Sequence, residues 1–308
     1  MDIKELQKTV RKLLKEKNAI LLAHNYQRAE IQEIADLTGD SYELSVKASR
    51  TDADIIVFCG VRFMAESAKI LSPEKTVLLP NANAGCPMAD MITAQQLERL
   101  KSQYPEAYVV SYVNTNADVK VLSDVCCTSS NAVNIVKAVP ARKVIFVPDK
   151  NLGSYVKKFV DKDMIIWNGY CPTHHHIYPE EIIPLKQKYP DAPFVCHPEC
   201  RPEVVELADK VTSTSGIIKF AKEDAHKQFI IGTEEGILYQ LKKNNPEKDF
   251  ILASHGFICP NMKRTRLEDV ILALEKNQYE INLSPAIIER ARVPLERMIE
   301  MTTGLLSR

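Results

Sequence analysis

Short apolar runs divide the chain, and most of them end in polar residues or cysteine. Such runs without alternation are typical of strands in a parallel sheet that is covered on both faces. Between them, spacings such as Ile31, Ile34, Ala35, Leu37 and Val133, Ile135, Val136 predict helices. Strands alternating with helices indicate an α/β chain with right-handed crossovers. The predicted strands lie at 21–24, 55–59, 77–80, 109–113, 144–147, 164–167, 194–196, 229–231 and 250–253.

The strand pattern repeats three times along the chain. Three cysteines that precede proline, Cys86, Cys171 and Cys259, are 85 and 88 residues apart. Other features share this register, which makes coincidence among generic α/β units the weaker interpretation. They are the strand ends His24, Tyr112 and His197, the pairs Ala35-Asp36, Ser123-Asp124 and Ala208-Asp209, and the hydroxyl clusters Asp40-Ser41, Thr128-Ser129-Ser130 and Thr212-Ser213-Thr214-Ser215.

The repeat predicts an α/β fold of three homologous three-layer α/β/α domains, with short parallel sheets arranged about a pseudo-threefold axis. Each domain is expected to hold three strands, followed by Cys-Pro and a helix. The predicted domains are residues 1–85 plus 260–308, where C-terminal helices close the first repeat, then 86–170 and 171–259.

Composition narrows the class of protein. The 308 residues are 45% hydrophobic, and 40 Lys and Arg balance 40 Asp and Glu. A neutral chain without a basic stripe is not expected to bind nucleic acid or a membrane surface. The chain has no long apolar run and begins with a charged, amphipathic segment, so we expect a cytoplasmic protein without a signal peptide. Glycine is scarce, 10 residues in all, which argues against a glycine-rich dinucleotide site.

Eight cysteines without a C-x-x-C pair suggest neither a disulfide framework nor a zinc ribbon. We interpret Cys59, Cys126 and Cys127 as buried structural thiols. Cys196 and Cys200 are poor candidates for a shared metal, because Pro198 between them would break a ligand helix.

The three Cys-Pro cysteines are the candidates for chemistry. If the domains surround one axis, their sulfurs meet there, and a proline that opens a helix would place each sulfur where the helix dipole favours a thiolate. Three thiolates can hold zinc with one open position, or a [4Fe–4S] cluster with one iron free of protein ligands. The spacing does not choose between these two.

Polar residues at the strand ends suit a small, multiply anionic substrate. Ser41, Ser129 and Thr214 precede helical patterns and could bind phosphate or carboxylate, although a helix N-cap is the commoner role. His24 and His197 could bind an anion or move a proton. Tyr26 and Glu199 are acid–base candidates, Glu199 if burial raises its pKa. Of the tract 174–176, only His174 is expected to face the same way as Cys171, with the rest solvated.

Taken in order, these and neighbouring motifs resemble the quinolinate synthase family, in its short form, from about residue 18 to the C-terminus. The motifs are His24-Asn25-Tyr26, Gly39-Asp40-Ser41, Phe63-Met64-Ala65-Glu66, Cys86-Pro87-Met88-Ala89, Tyr112-Val113-Asn114, Thr128-Ser129-Ser130-Asn131-Ala132, Pro148-Asp149-Lys150-Asn151-Leu152-Gly153, Cys171-Pro172-Thr173-His174, His197-Pro198-Glu199-Cys200 and Gly232-Thr233-Glu234.

The resemblance implies a condensing enzyme that joins iminoaspartate to dihydroxyacetone phosphate, releases phosphate and water, and forms quinolinate for NAD biosynthesis. It implies one [4Fe–4S] cluster on Cys86, Cys171 and Cys259, and an upstream enzyme that supplies iminoaspartate. It assigns His24, Tyr26, Tyr112 and Glu199 to catalysis. The substrate-binding residues that it implies are His24, Ser41, Tyr112, Val113, Asn114, Ser129, His174, His197, Pro198, Glu199 and Thr214.

Two other functions follow from the residues alone. A mononuclear zinc hydrolase or lyase could use the same three thiolates, aided by His174. A non-catalytic α/β binding protein would bury the three cysteines as inert thiols. Metal analysis separates the first from an iron–sulfur enzyme, and cysteine substitutions that leave ligand affinity unchanged would identify the second.

Overall fold

A computed structural model of the chain describes residues 2–306. Its first sheet contains β1 (Ala19–His24), β2 (Leu37–Gly39), β3 (Ile55–Cys59) and β4 (Thr76–Leu78). All neighbouring strands are parallel, in the order β2-β1-β3-β4. β1 and β3 are the central strands, and most of their side chains are buried, which explains their continuous apolar sequence.

The second and third sheets repeat this order. The second contains β5 (Tyr108–Tyr112), β6 (Val125–Cys127), β7 (Lys143–Val147) and β8 (Asp163–Ile166), ordered β6-β5-β7-β8. The third contains β9 (Phe194–Cys196), β10 (Lys210–Val211), β11 (Gln228–Gly232) and β12 (Asp249–Leu252), ordered β10-β9-β11-β12. Three parallel four-stranded sheets flanked by helices confirm the predicted three α/β/α domains.

Helices connect the strands and cover the sheets. They are α1 (Ile3–Glu16), α2 (Ala29–Gln32), α3 (Ser41–Ala48), α4 (Arg62–Leu71), α5 (Ala94–Gln103), α6 (Ala117–Lys120), α7 (Ala132–Ala138), α8 (Lys150–Lys157), α9 (Pro172–His175), α10 (Pro179–Lys188), α11 (Pro202–Val205), α12 (Thr214–Glu223), α13 (Ile237–Asn244), α14 (Leu267–Lys276) and α15 (Pro285–Leu306), with short 3₁₀ turns at Ala89–Met91 and Met262–Arg264.

The prediction of three strands per repeat is wrong, because each sheet has a fourth, short edge strand. Leu37, whose spacing from Ile31 predicts a helix, instead begins β2, and α2 ends at Gln32. Cys126 and Cys127 lie inside another such strand, β6, and both are buried as predicted. These strands have three residues or fewer in the ladder, too few for a recognisable apolar run.

The recurring aspartate has a structural reason that is the same in all three domains. Asp36 accepts a hydrogen bond from the backbone N–H of Leu21 at 2.8 Å, just before β2 begins. Asp124 does the same for Val109 at 2.7 Å, and Asp209 for Phe194 at 2.8 Å. Each aspartate thus ties the edge strand to the first strand of its sheet, which confirms the repeat at the level of single hydrogen bonds.

The two C-terminal helices pack in different places, and only α14 lies wholly beside the first sheet. α14 lies against α1, whereas α15 packs on α4 and also on β6 and α6 of the second domain. All twelve strands fall inside the three predicted domain ranges, and the boundaries themselves stay predictions. Within residues 2–306, no helix combines the length and the apolar character needed to cross a membrane.

Candidate active site

A cavity of about 150 Å³ lies where the carboxyl ends of the central strands of all three sheets converge. This is the edge at which open parallel sheets bind ligands. Most of the residues predicted from the sequence line it. They are His24, Tyr26, Ser41, Cys86, Tyr112, Asn114, Ser129, Cys171, His174, His197, Glu199, Thr214 and Cys259.

Val113 and Pro198 do not line this cavity, contrary to the expectation from the resemblance. Tyr112 and Asn114 face the cavity, so the side chain between them points the other way and Val113 packs in the hydrophobic core. Pro198, between His197 and Glu199, instead borders a neighbouring surface groove. The alternation of side chains therefore turns both side chains away from the cavity, and a substrate contact of either residue stays a prediction.

His24 and His197 occupy equivalent positions and are held in the same way. The backbone N–H of Tyr26 donates to Nδ1 of His24 at 3.1 Å, and that of Glu199 donates to Nδ1 of His197 at 3.3 Å. Each ring therefore carries its proton on Nε2, which in His197 lies 3.1 Å from Oγ of Ser129. Burial lowers the pKa of His24 to about 3 and of His197 to about 4, so both act as neutral donors.

A chain of hydrogen bonds crosses the cavity from the first domain to the second through the third. Tyr26 Oη lies 2.5 Å from Thr233 Oγ1, which lies 2.9 Å from His174 Nε2. His174 Nδ1 is 2.9 Å from Glu199 Oε2, and Tyr112 donates to Glu199 Oε1 at 2.7 Å. Two tyrosines from different domains are thus connected through one histidine and one carboxylate.

The pKa of Glu199 is lowered to about 2, which is opposite to the rise expected if Glu199 were to act as an acid. Burial acts to raise this pKa, but the nearby His197 and the hydrogen bonds from His174 and Tyr112 outweigh it. Burial, together with the charge of Glu199, raises the pKa of Tyr112 and Tyr26 well above the usual range. The cavity therefore contains a carboxylate anion between neutral hydroxyl groups.

In two of the hydroxyl clusters a neighbouring residue caps the helix. The candidate side chain is then not needed as the cap and can face the cavity. In α12 the cap is Ser213, which accepts from the N–H of Gly216, whereas Thr214 donates to Tyr26 Oη at 2.9 Å. In α3 the side chain of Asp40 accepts from the N–H groups of residues 42 and 43. The N-cap role is thus filled by Ser213 and Asp40, and Thr214 is the member of its cluster that lines the cavity.

Asp40 gives a prediction about pH. Burial, then the charge of Glu43, raises its pKa to about 6. Between about pH 4 and 6 the folded state keeps a proton that the unfolded state loses, so this group costs stability as pH rises through that window. Asp40→Asn keeps the capping oxygen and is expected to add about 3 kcal/mol at pH 8 and little at pH 4. Urea midpoints at both pH values measure this; an equal change at both would contradict a charge effect.

The Cys-Pro prolines open a helix at only one of the three cysteines. Cys171 is the N-cap of the four-residue α9, whereas Cys86 and Cys259 precede 3₁₀ turns that begin three residues later. Backbone N–H groups still point at two sulfurs: those of residues 88 and 89 at Cys86, and those of residues 261 and 262 at Cys259. Backbone donors suited to a sulfur ligand are therefore present, although not as regular helices.

The expected thiolates are not favoured by the protein alone. Burial raises the pKa of Cys86 to about 12, and it raises those of Cys171 and Cys259 as well. The charges of Cys259 and Cys86 add to the shift at Cys171, which shows that the three sulfurs lie near one another. Only a bound cation would deprotonate three buried thiols at this point.

The spacing of the sulfurs bears on which group they fit. Three thiolates around one zinc lie about 3.8 Å apart, given a zinc–sulfur distance of about 2.3 Å. Among residues 2–306, the one set of at least three metal-ligand atoms within 4.8 Å of one another is Cys171, His174 and Glu199, which does not include Cys86 or Cys259. The three sulfurs border one cavity, but they lie farther apart than the ligands of a single zinc. This spacing fits a larger, sulfur-ligated group such as a cluster.

Comparison with known proteins gives one family. The family model for quinolinate synthetase A protein matches residues 8–300, which include every strand of the three sheets. The chain belongs to the quinolinate synthetase A family. It is 56% identical to the quinolinate synthase of Geobacter sp. (strain M21), over 96% of this chain and 97% of the relative. It is 57% identical to the quinolinate synthase of Thermodesulfovibrio yellowstonii, over 96% of this chain and 99% of the relative. It is 55% identical to that of Caldicellulosiruptor saccharolyticus, over 98% of this chain and 100% of the relative.

For this family member, the geometry adds residues to which the sequence assigned no role. Thr233 joins Tyr26 to His174, and the fully buried Glu234 accepts the N–H of Cys259 at 3.1 Å. Lys263 pairs with Glu234 at 3.0 Å and donates to the carbonyl of Tyr26 at 2.8 Å. These contacts fix the backbone on which Tyr26 and Cys259 stand.

Asp149 is a second buried carboxylate of this kind. It caps α8 and accepts from the N–H of Cys171, as Glu234 does from that of Cys259. Asp149 lies 85 residues before Glu234, a spacing that equals one repeat interval. The repeat interval therefore relates these two acidic residues in the sequence and could have identified both of them.

Two residues of the histidine tract lie as predicted: His174 is buried in the cavity, and His176 is exposed. His175 differs from the expectation of a solvated ring. Its Nδ1 lies 3.0 Å from Asn151 Nδ2 and its Nε2 lies 3.3 Å from Arg201 Nη2. Asn151 in turn donates to the carbonyl of Glu199 at 2.9 Å, so His175 supports the segment that carries the site carboxylate.

Proposed function

We propose that this chain is a quinolinate synthase that condenses iminoaspartate with dihydroxyacetone phosphate, with loss of phosphate and water, to form quinolinate for NAD biosynthesis. The observation that carries the proposal is the cavity at the meeting point of the three sheets, which is lined by the three Cys-Pro cysteines together with anion-binding side chains. The relatives at 55–57% identity, which carry the name quinolinate synthase, support the same reaction.

In this proposal Cys86, Cys171 and Cys259 hold one [4Fe–4S] cluster per chain. Three cysteine ligands leave one iron open, and when bound the cluster supplies a Lewis acid that polarises an oxygen of the substrate. The donor set supports this assignment, since it consists of three soft sulfurs that line one cavity, each of them following the last strand of one sheet. The fixed backbone around Cys259, held by Glu234, contributes to the position of its sulfur.

The remaining polar side chains bind and orient the anionic groups. His24 and His197 offer Nε2–H donors, and a further set of residues offers hydroxyl groups to carboxylates and phosphate, namely Ser41, Ser129 and Thr214. Asn114 has a buried Oδ1 without a hydrogen-bond partner among the described residues, which indicates a contact with bound substrate. Neutral donors in a buried cavity favour a multiply charged anion without the cost of burying cations.

In this proposal the hydrogen-bonded chain from Tyr26 to Tyr112 transfers protons. Glu199 is ionised and can accept a proton from the substrate, while the two tyrosines stay protonated and can donate. His174 contacts both Glu199 and Thr233, so a proton taken up by Glu199 can be shared with the ring. Cytoplasmic location and an upstream enzyme that produces iminoaspartate complete the proposal.

The test is chemical analysis of the full chain purified without oxygen. We expect about four irons and four sulfides per chain, with broad absorbance near 400 nm, and formation of quinolinate when both substrates are supplied. Zinc without iron, in a chain that assembles no cluster from iron and sulfide even after the zinc is removed, would instead favour a hydrolase or lyase. A metal-free protein, or a cluster-bearing protein that forms no quinolinate, would overturn the proposed function.

A further inference from the structure

Three ligand atoms of different chemistry meet on one side of the cavity. His174 Nδ1 lies 3.2 Å from Cys171 Sγ and 2.9 Å from Glu199 Oε2, and all three ligand atoms lie within 4.8 Å of one another. We propose that the chain, when it lacks a cluster, binds one soft divalent cation, with zinc as the leading candidate, at Cys171, His174 and Glu199. This site differs from the three-cysteine set, since it uses neither Cys86 nor Cys259.

The ligand spacing is close to that of a real zinc site. Sulfur, nitrogen and oxygen ligands around one tetrahedral zinc lie roughly 3.3–3.6 Å apart. The two short contacts of His174 therefore need to open by only a few tenths of an ångström, within the range of side-chain torsions. The side chains of His174 and Glu199 are almost fully buried, so the ligands are held in place by packing before a metal arrives.

Each of the two buried ligands already has the outer partner that metal sites need. Thr233 Oγ1 lies 2.9 Å from Nε2 of His174, so a metal at Nδ1 would leave the ring proton on Nε2, where Thr233 accepts it. Tyr112 donates to Oε1 of Glu199 at 2.7 Å, which leaves Oε2 for the metal. Such outer hydrogen bonds orient metal ligands, and their loss typically costs about 10- to 100-fold in affinity.

The chemistry of binding follows from the ligand types. One thiolate, one imidazole and one carboxylate form a set that zinc accepts, with a fourth position that faces the cavity and is open to water. On binding, the Cys171 thiol loses its proton to solvent and the sulfur becomes a thiolate ligand. No electron is transferred, and the metal leaves when a stronger chelator removes it.

Zinc at this site would have a consequence for the proposed cluster, and this consequence alone rests on the proposed function. Cys171 cannot serve both groups at once, so zinc is expected to block cluster assembly. The block should be weaker in His174→Gln, because this variant loses a zinc ligand but keeps all three cysteines.

The experiment titrates the full-length, cluster-free chain with Co²⁺, whose absorbance reports its ligands, and then displaces the Co²⁺ with Zn²⁺. We expect one metal per chain and a sulfur-to-cobalt band of the intensity given by a single thiolate. His174→Gln and Glu199→Gln should each raise the dissociation constant roughly 100-fold or more, and Thr233→Val roughly 10-fold. Cys86→Ser and Cys259→Ser are the matched controls and should change it by less than about threefold, within ordinary variation.

Three outcomes would overturn the inference: no Co²⁺ binding, a band of three-thiolate intensity, or a loss of affinity in Cys86→Ser equal to that in Cys171→Ser. The first two are read on the unmodified chain and do not depend on whether His174→Gln folds. The result is also separate from the proposed function, because an active iron–sulfur enzyme without this zinc site, or the reverse, would be seen directly.

Discussion

Cys259→Ala is expected to lose both its iron and its formation of quinolinate. Cys259 is the only one of the three candidate ligands contributed by the segment that precedes α14. Two remaining thiolates would leave two irons of a cubane cluster without protein ligands, and such a cluster is not retained. Iron and sulfide content, measured together with the rate of quinolinate formation after anaerobic purification, should both fall to background.

Cys127→Ala is the matched control for this substitution. Cys127 is also a free, buried cysteine, but it lies in β6 and does not line the cavity. We expect this variant to keep its iron and its activity and to lose only about 1 kcal/mol of stability. If Cys259→Ala retained about four irons, the assignment of the three cysteines would fail.

Glu199→Gln is expected to lower kcat by roughly 10²- to 10⁴-fold, the usual contribution of a general acid or base. The amide has the size of the carboxylate and still accepts from the Tyr112 hydroxyl, so the cavity should keep its shape. It carries no charge, however, and cannot accept a proton from substrate or hold a proton on His174. Steady-state kinetics with measured iron content would show whether kcat falls while KM stays nearly constant.

Glu235→Gln provides the control, because it makes the same chemical change in a side chain outside the cavity. Glu235 is 40% exposed and lies 3.7 Å from Lys263. Activity within about twofold of the unmodified enzyme is expected, since exposed ion pairs contribute little. A Glu199→Gln enzyme with a full cluster and unchanged kcat would remove Glu199 from the acid–base role.

The fold is largely predictable because the repeat leaves regular marks on the sequence. The 85- and 88-residue intervals give Cys86, Cys171 and Cys259 equivalent positions after the last strands of the three sheets, and all three line the same cavity. The recurring aspartates belong to the same signal, although their hydrogen bonds to the first strand of each sheet are visible only in three dimensions. The pattern does not predict β2, because this strand has only three residues and the position of Leu37 matches a helical spacing as well as a strand.

The sequence predicts most of the residues that line the site, but not the hydrogen bonds between them. Residues such as His24 and Glu199 lie at strand ends, and strand ends of a parallel sheet converge. The contact between Thr233 and His174, by contrast, joins side chains that no sequence spacing relates. Nor does a motif reveal which side chains alternate away from the cavity, as that of Val113 does.

The side chain of Pro198 likewise borders the neighbouring groove, while the residues on either side of it face the cavity. The direction of the pKa of Glu199 is likewise beyond the reach of sequence. It depends on His197, His174 and Tyr112, which surround the carboxylate only after three domains have come together.

The distribution of the three cysteines over the whole chain also constrains the order of events in the life of the molecule. A ribosome releases Cys86 early and Cys259 only near the end of synthesis, and domains fold as they emerge. No early nascent intermediate can contain the complete set of sulfurs, so the proposed cluster can be completed only on a nearly finished chain. Until then, the strand ends of the first two sheets lack the side chains that the third sheet brings to the cavity, His197 and Glu199 among them, and the finished cavity exists only once that sheet has folded.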